Sequence, residues 1–377
     1  MTRRSSGYDE SDARTRPNPR GSRPRTKQRP DHDDARTALV TGVDRGRYTL
    51  LVDPDTQDER IAIAMKAREL GRERVVCGDL VHVVGDTSGD PGSLARIVRI
   101  GERRTALRRS ADDTDAIERV IVANADQLVI VTALADPEPR TRMIDRCVVA
   151  GYDAGMDVLL CLTKADLADP AELVGMYAPI GVEVVVTSID QDASRPTIRG
   201  LDEVRERLTG RMSVLVGHSG VGKSTLVNAL VPLALRATGV VNDVTGRGRH
   251  TSSSAVALGL PHPADTPTTA GRRAGWVIDT PGVRSFGLAH VDVDHLLGAF
   301  GDLAEVSTAR CPRGCTHTAD APDCALDDWV AEAPDDLRAA RAARVDSLRR
   351  LIASRTGAET GASPSEDAGR RPDSVQP

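Results

Sequence analysis

The spacing G-x-x-x-x-G-K-[ST], read at Gly217-His218-Ser219-Gly220-Val221-Gly222-Lys223-Ser224-Thr225, constrains this chain more than any other feature. The apolar run Val214–Val216 precedes it, and a helix-compatible segment, Ser224–Leu230, follows. Glycines at these positions let successive backbone N–H groups turn inward around a phosphate, and the helix start adds its dipole. Lys223 then reaches the outer phosphates, and the Ser224 hydroxyl is placed to ligate Mg²⁺. Such a loop requires an α/β domain built on a parallel sheet.

A second short pattern, Asp279-Thr280-Pro281-Gly282, ends another apolar run, Trp276–Ile278. A carboxylate at a strand end can hold the Mg²⁺ shell, while the Gly282 N–H faces the terminal phosphate. Thr163-Lys164-Ala165-Asp166 follows the apolar run Val158–Leu162 and resembles the base-reading motif of GTPases. There the Asp carboxylate accepts two N–H bonds from guanine and the Lys stem lies over the ring. Adenine presents the wrong donor pattern, so Asp166 argues against an ATP-dependent factor. Thr187-Ser188 ends the next apolar run and resembles the second base-contacting loop.

The order of these motifs is unusual. Base-reading motifs ordinarily follow phosphate motifs; here 163–166 and 187–188 precede 217–225 and 279–282. A circular permutation keeps the site if the sheet is the same and the old termini are joined. It also leads the chain from Gly282 directly into the C-terminal region, a candidate readout for nucleotide state.

With 377 residues the chain is long enough for two or three domains. Residues 1–36 hold almost no apolar side chains and read as a disordered basic tail, since Arg14–Arg29 carries seven basic residues and no acidic one. That tail is either solvated or a flexible arm for phosphate backbones. Residues 37–109 contain the β-like runs Ala38–Thr41, Tyr48–Val52, Ile61–Ala64, Asp79–Val84 and Ala95–Ile100, which suggest an OB-fold β-barrel. In residues 110–290 continuous apolar runs alternate with helical segments, the mark of a parallel sheet covered on both faces. Residues 291–355 carry a Cys/His cluster and the helical segment Pro334–Ile352, and 356–377 read as a disordered tail. The net charge of −5 argues against a uniformly basic nucleic-acid binder but not against a local patch. No apolar run approaches the roughly 18 residues needed to span a bilayer, and the polar N-terminus has no signal-peptide core. A cytoplasmic, membrane-free, monomeric protein is expected.

Cys311-x₃-Cys315-x-His317-x₆-Cys324 supplies three thiols and one imidazole. Four such ligands satisfy tetrahedral Zn²⁺ with no open position, which indicates a structural site. Cys77, Cys147 and Cys161 are isolated, in or beside apolar strands, and read as core thiols.

Together these features resemble the ribosome small-subunit-dependent GTPase A family over about residues 38–350. The resemblance is carried by Val76-Cys77-Gly78-Asp79, Ala123-Asn124-Ala125-Asp126-Gln127, Gly246-Arg247-Gly248-Arg249-His250-Thr251, the phosphate loop and Asp279–Gly282. It implies an α/β circularly permuted P-loop GTPase domain between an N-terminal OB-fold β-barrel and a C-terminal zinc-binding, mostly helical domain. It further implies a factor that binds the small ribosomal subunit and its rRNA late in maturation and hydrolyses GTP to GDP when that subunit stimulates it. Thr251, Ser252 or Ser253 is positioned in sequence to complete Mg²⁺ coordination, and Thr251 is preferred. Position 283 is Val where many GTPases place a water-orienting Gln, so another group must align water. His250 resembles the family's proposed catalytic histidine; the alternative is that it contacts RNA or only shapes its loop. A nucleotide-gated RNA- or ribosome-binding factor with incidental hydrolysis is the second reading.

Overall fold

The computed structural model describes residues 32–109, 119–190, 197–231, 255–262, 273–280, 286, 288 and 291–356. From Ala35 onward they belong to one compact unit; of the preceding unit, Met1–Asp34, only His32–Asp34 are described.

Alternating apolar residues build the first layer. Strands β1 (Arg36–Asp44), β2 (Arg47–Val52), β3 (Arg60–Lys66), β4 (Leu80–Gly85) and β5 (Ala95–Ile100) pair in the order β1-β2-β3-β5-β4, and β4 returns to β1. The ring is therefore closed, with β3 and β5 parallel and the other pairs antiparallel. Its interior is filled by small and branched side chains, among them Ala38, Val40, Leu50, Ala62, Ala64, Val81, Val83 and Ile97. The expected strand Asp79–Val84 starts one residue later. Asp79 is fully buried and turned inward, where its carboxylate accepts from the Val76 backbone N–H (2.8 Å) and from Arg103 (2.7 and 2.9 Å).

The second layer is the α/β sheet. After the hairpin β6 (Ala106–Arg109) and β7 (Arg119–Ala123) come β8 (Gln127–Ala133), helix α1 (Thr141–Asp153), β9 (Asp157–Thr163), α2 (Ala171–Tyr177) and β10 (Glu183–Val186). A hairpin of β11 (Ser188–Asp190) and β12 (Thr197–Arg199) precedes α3 (Leu201–Leu208), β13 (Met212–Val216), α4 (Lys223–Leu230), β14 (Val256–Pro261) and β15 (Arg273–Asp279). The strand order is β10-β9-β8-β13-β15-β14, parallel except for β14. Every side chain of β8 is buried, as a strand covered on both faces requires. Cys147, expected in or beside a strand, lies instead in α1, where Met143–Gly151 are all buried and Cys147–Ala150 forms a short apolar run within the helix. It is a core thiol, as are Cys77 and Cys161.

Two of the motifs that carried the family resemblance join barrel to sheet. Gly78 has φ of 89°, and a Cβ there would stand 2.0 Å from the Ala123 carbonyl oxygen, so only glycine fits. Asn124, 5% exposed, donates to the Gly78 carbonyl (2.9 Å) and accepts from the Arg104 backbone N–H (2.8 Å). β1 also pairs with β14, Gly42 opposite Val256.

The C-terminal layer is helical: α5 (Val293–Gly298), α6 (Gly301–Arg310), α7 (Ala325–Ala331) and α8 (Asp335–Thr356). The last helix runs four residues past the expected Ile352. It docks on α1 through Arg350, which reaches the Asp145 carboxylate (3.2 Å) and lies over the Tyr177 ring (5.1 Å). Burial pushes the Asp145 carboxyl up.

Candidate nucleotide site and metal centre

The phosphate loop leaves β13, the strand between β8 and β15, and enters α4. Gly220 and Gly222 have φ of 86° and 88°, the left-handed region that lets the backbone fold back on itself. Lys223 of this loop forms an ion pair with Asp279, the last residue of β15. The neighbouring strand ends are tied as well, because the buried Thr280 hydroxyl donates to the Leu215 carbonyl (2.7 Å).

The 163–166 segment arrives from the other side. The Thr163 hydroxyl donates to the Val221 carbonyl within the phosphate loop (2.6 Å) and lies 3.3 Å from the Thr132 carbonyl. Threonine, standing where GTPases usually have Asn, thus binds the two loops together. Lys164 has φ of 60° and its ammonium donates to the Asp136 carbonyl. The Ala165 N–H donates to the Thr187 carbonyl (3.1 Å), and the Thr187 N–H to the Leu162 carbonyl (2.7 Å). These bonds set loops 163–166 and 187–188 side by side.

The loops enclose a cavity of about 530 Å³. Of the residues expected from sequence, Thr163, Lys164, Thr187, Ser188, Gly217, His218, Ser219, Gly220, Gly222, Lys223, Ser224, Thr225 and Asp279 line it. Asp166 is exposed beside it, its carboxylate 3.3 Å from the Ile189 backbone N–H, and Val221 is buried behind it. His250, Thr251 and Gly282 lie outside the described residues. Sequence reading missed Ile189, Ile198 and Leu226 in the lining. The available signal was an apolar residue on each side of the polar stretch Asp190–Thr197, a hairpin pattern too short to stand out. It also missed Asp136, whose contribution is a backbone oxygen that no side-chain motif announces.

A second site lies between α6 and α7. The ligand atoms of Cys311, Cys315, His317 and Cys324 all fall within 4.8 Å of one another. His317 Nδ1 is 3.8 Å from both the Cys311 and Cys324 sulfurs. A tetrahedral centre with metal–sulfur bonds of about 2.3 Å sets its ligands roughly 3.8 Å apart, so the donor set fits one metal ion. The other ring nitrogen, Nε2, lies 3.2 Å from the Ser307 hydroxyl, which orients the imidazole with Nδ1 free to ligate. Burial holds the His317 pKa below its usual value, which favours the neutral ligand form. No described helix is long and apolar enough to cross a membrane.

The family model described as RsgA GTPase matches residues 100–289. The small ribosomal subunit biogenesis GTPase RsgA of Chlorobaculum tepidum is 33% identical over 263 residues, 68% of this chain and 79% of that protein. The chain belongs to the RsgA GTPase family. Another relative of the same name, from Ectopseudomonas mendocina, is 37% identical over 288 residues, 74% of this chain and 75% of its own length. Among solved structures, YjeQ from Thermotoga maritima superposes with a TM-score of 0.59 at 22% identity, over 86% of this chain and all of that one (100%). YloQ, described as a circularly permuted GTPase, gives a TM-score of 0.57 at 20% identity, over 88% and 98%. The RsgA fold, with a closed barrel before a permuted GTPase sheet and helices after it, is thus the fold of this chain.

Proposed function

We propose that this member of the RsgA family binds the small ribosomal subunit, acts late in its maturation, and hydrolyses GTP to GDP when the subunit stimulates it. The observation that carries the reading is the single cavity in which loops 163–166 and 187–188 meet the 217–225 loop and Asp279, despite their reversed order in sequence. The names of the relatives support the ribosomal role.

In this reading Asp166 reads the guanine edge and the Lys164 stem covers the ring. The backbone of Gly217–Gly222 surrounds the phosphates, and Lys223 exchanges its Asp279 partner for phosphate oxygens. Ser224, Asp279 and Thr251 hold Mg²⁺, which would neutralise charge developing on the transferred phosphoryl group. His250 aligns or deprotonates the attacking water, a role Val283 cannot fill. Cys311, Cys315, His317 and Cys324 hold one structural Zn²⁺. Residues 37–109 and 291–355 flank the 110–290 GTPase domain and grip rRNA. The protein works in the cytoplasm as a monomer.

The absence of Gln at position 283 supports a second reading, in which nucleotide occupancy gates binding and hydrolysis is incidental. Nucleotide selectivity tests the core of both. GTP and GDP should bind far more tightly than ATP, and Asp166→Asn should shift preference toward xanthine nucleotides. Equal binding of ATP and GTP would refute the assignment.

A further inference from the structure

The base side of the cavity has a wall that the Asp166 assignment does not explain. Two isoleucines, Ile189 on β11 and Ile198 on β12, line the cavity and are directly paired across the hairpin. Directly opposed residues of an antiparallel pair project to the same face, so the two side chains form one apolar surface. Ile189 is 42% exposed, one of few large apolar side chains left so open among the described residues. An apolar surface of this kind, open and inside a cavity otherwise lined largely by polar loops, is suited to a flat apolar face.

The hairpin is built to hold that surface still. Arg199 donates twice to the Asp190 carboxylate, at 3.0 and 2.9 Å. At its base the Ile189 backbone N–H lies 3.3 Å from Asp166 Oδ1, so the hairpin touches the base-reading carboxylate itself. A stacking aromatic would serve the same purpose, but none lies among the described residues lining the cavity. The sequence has no Phe, Tyr or Trp between Tyr177 and Trp276, a span that includes the phosphate loop and Gly246–Thr251.

We propose that Ile189 and Ile198 form the apolar wall against which the guanine ring packs, with the Lys164 stem on the other face, and that the Ile189 N–H positions the Asp166 carboxylate. The assignment rests on the guanine-nucleotide reading above and adds the residues that hold the ring in place. The wall serves GDP and GTP alike, since it touches the base and not the phosphates.

Calorimetric titration of the full chain with GDP and with ADP tests it. Ile189→Ala and Ile198→Ala should each weaken GDP binding about tenfold, as expected for losing part of an isoleucine's apolar cover. The nucleotide-free melting temperature should stay near that of the unaltered protein, above all for Ile189→Ala, because Ile189 is exposed and Ile198 only half-buried. Ile189→Trp should give a tryptophan emission that changes on adding GDP and not on adding inorganic diphosphate. If the unaltered protein prefers GDP over ADP while both alanine variants bind GDP normally, the wall is overturned and the guanine reading stands. If the unaltered protein shows no such preference, the wall falls together with the reading on which it rests.

Discussion

Arg146 offers the sharpest test of how the GTPase sheet is tied to the C-terminal helices. It sits in α1 with 8% of its surface exposed. Its Nε and Nη2 donate to the Phe286 carbonyl at 2.8 and 2.5 Å, and its Nη1 lies 3.3 Å from the Ser354 carbonyl. Phe286 lies beyond the Asp279–Gly282 motif in sequence, and Ser354 is in the last turn of α8, so one guanidinium clasps both the Phe286 backbone and the terminal helix. Hydrogen bonds from a charged donor contribute about 1.5 to 3 kcal/mol each, and a buried carbonyl left without a partner costs about 1 to 3 kcal/mol. Arg146→Met keeps most of the stem volume and removes the donors, so it should cost about 3 to 5 kcal/mol. At about 2 to 4 °C per kcal/mol this lowers the melting temperature by on the order of 10 °C. Arg146→Lys should recover part of the loss, because an ammonium cannot reproduce the planar fork that serves both carbonyls. Differential scanning fluorimetry reads the effect, and limited proteolysis should cut the variant first near α8. A methionine variant that melts within about 2 °C of the parent would show that Arg146 does not tie these elements together.

Three further outcomes are expected. Thr163→Val keeps the shape but leaves the Val221 carbonyl without its 2.6 Å donor, so GDP affinity should fall about tenfold; unchanged affinity would remove the link between the two loops. Cys315→Ser should take bound zinc from one equivalent to near zero by metal analysis, and a chelator should make the region from Cys311 to Cys324 protease-sensitive; a full metal complement in the variant would end the ligand assignment. Burial raises the Asp145 carboxyl above its unfolded value, so its contribution is present below the ordinary Asp pKa and is lost as pH rises through the raised one. Asp145→Asn should therefore gain stability relative to the parent as pH rises from about 4 towards neutrality in denaturant titrations, and a difference that does not move with pH would contradict the direction of the shift.

What the sequence discloses and what it hides follow from the range of the interactions. The phosphate loop is legible because phosphate geometry fixes residue types at short spacing, and Gly220, Gly222 and Lys223 can hardly be exchanged for anything else. The barrel is legible because closed strands alternate apolar and polar residues between turns. The cluster Cys311, Cys315, His317 and Cys324 is legible because soft donors rarely crowd into so short a segment. Arg146 carries no such mark: its partner carbonyls lie 140 and 208 residues away, and any arginine in an apolar stretch looks the same. Cys147 reads as a strand thiol because Cys147–Ala150 is a short continuous apolar run, and the helical period shows only once Arg142, Asp145, Arg146 and Asp153 on either side are counted with it. The pairing of Ile189 with Ile198 is hidden for a different reason. A three-residue strand returning across a polar stretch looks like a loop until pairing sets its register.

GTP hydrolysis by the purified protein, measured alone, with small ribosomal subunits and with large subunits, decides whether this is a subunit-stimulated GTPase. Small subunits alone should stimulate hydrolysis strongly, and Lys223→Ala should abolish that stimulation. Tight guanine-nucleotide binding with no stimulation by small subunits would contradict that reading and leave a nucleotide-gated binding factor in its place.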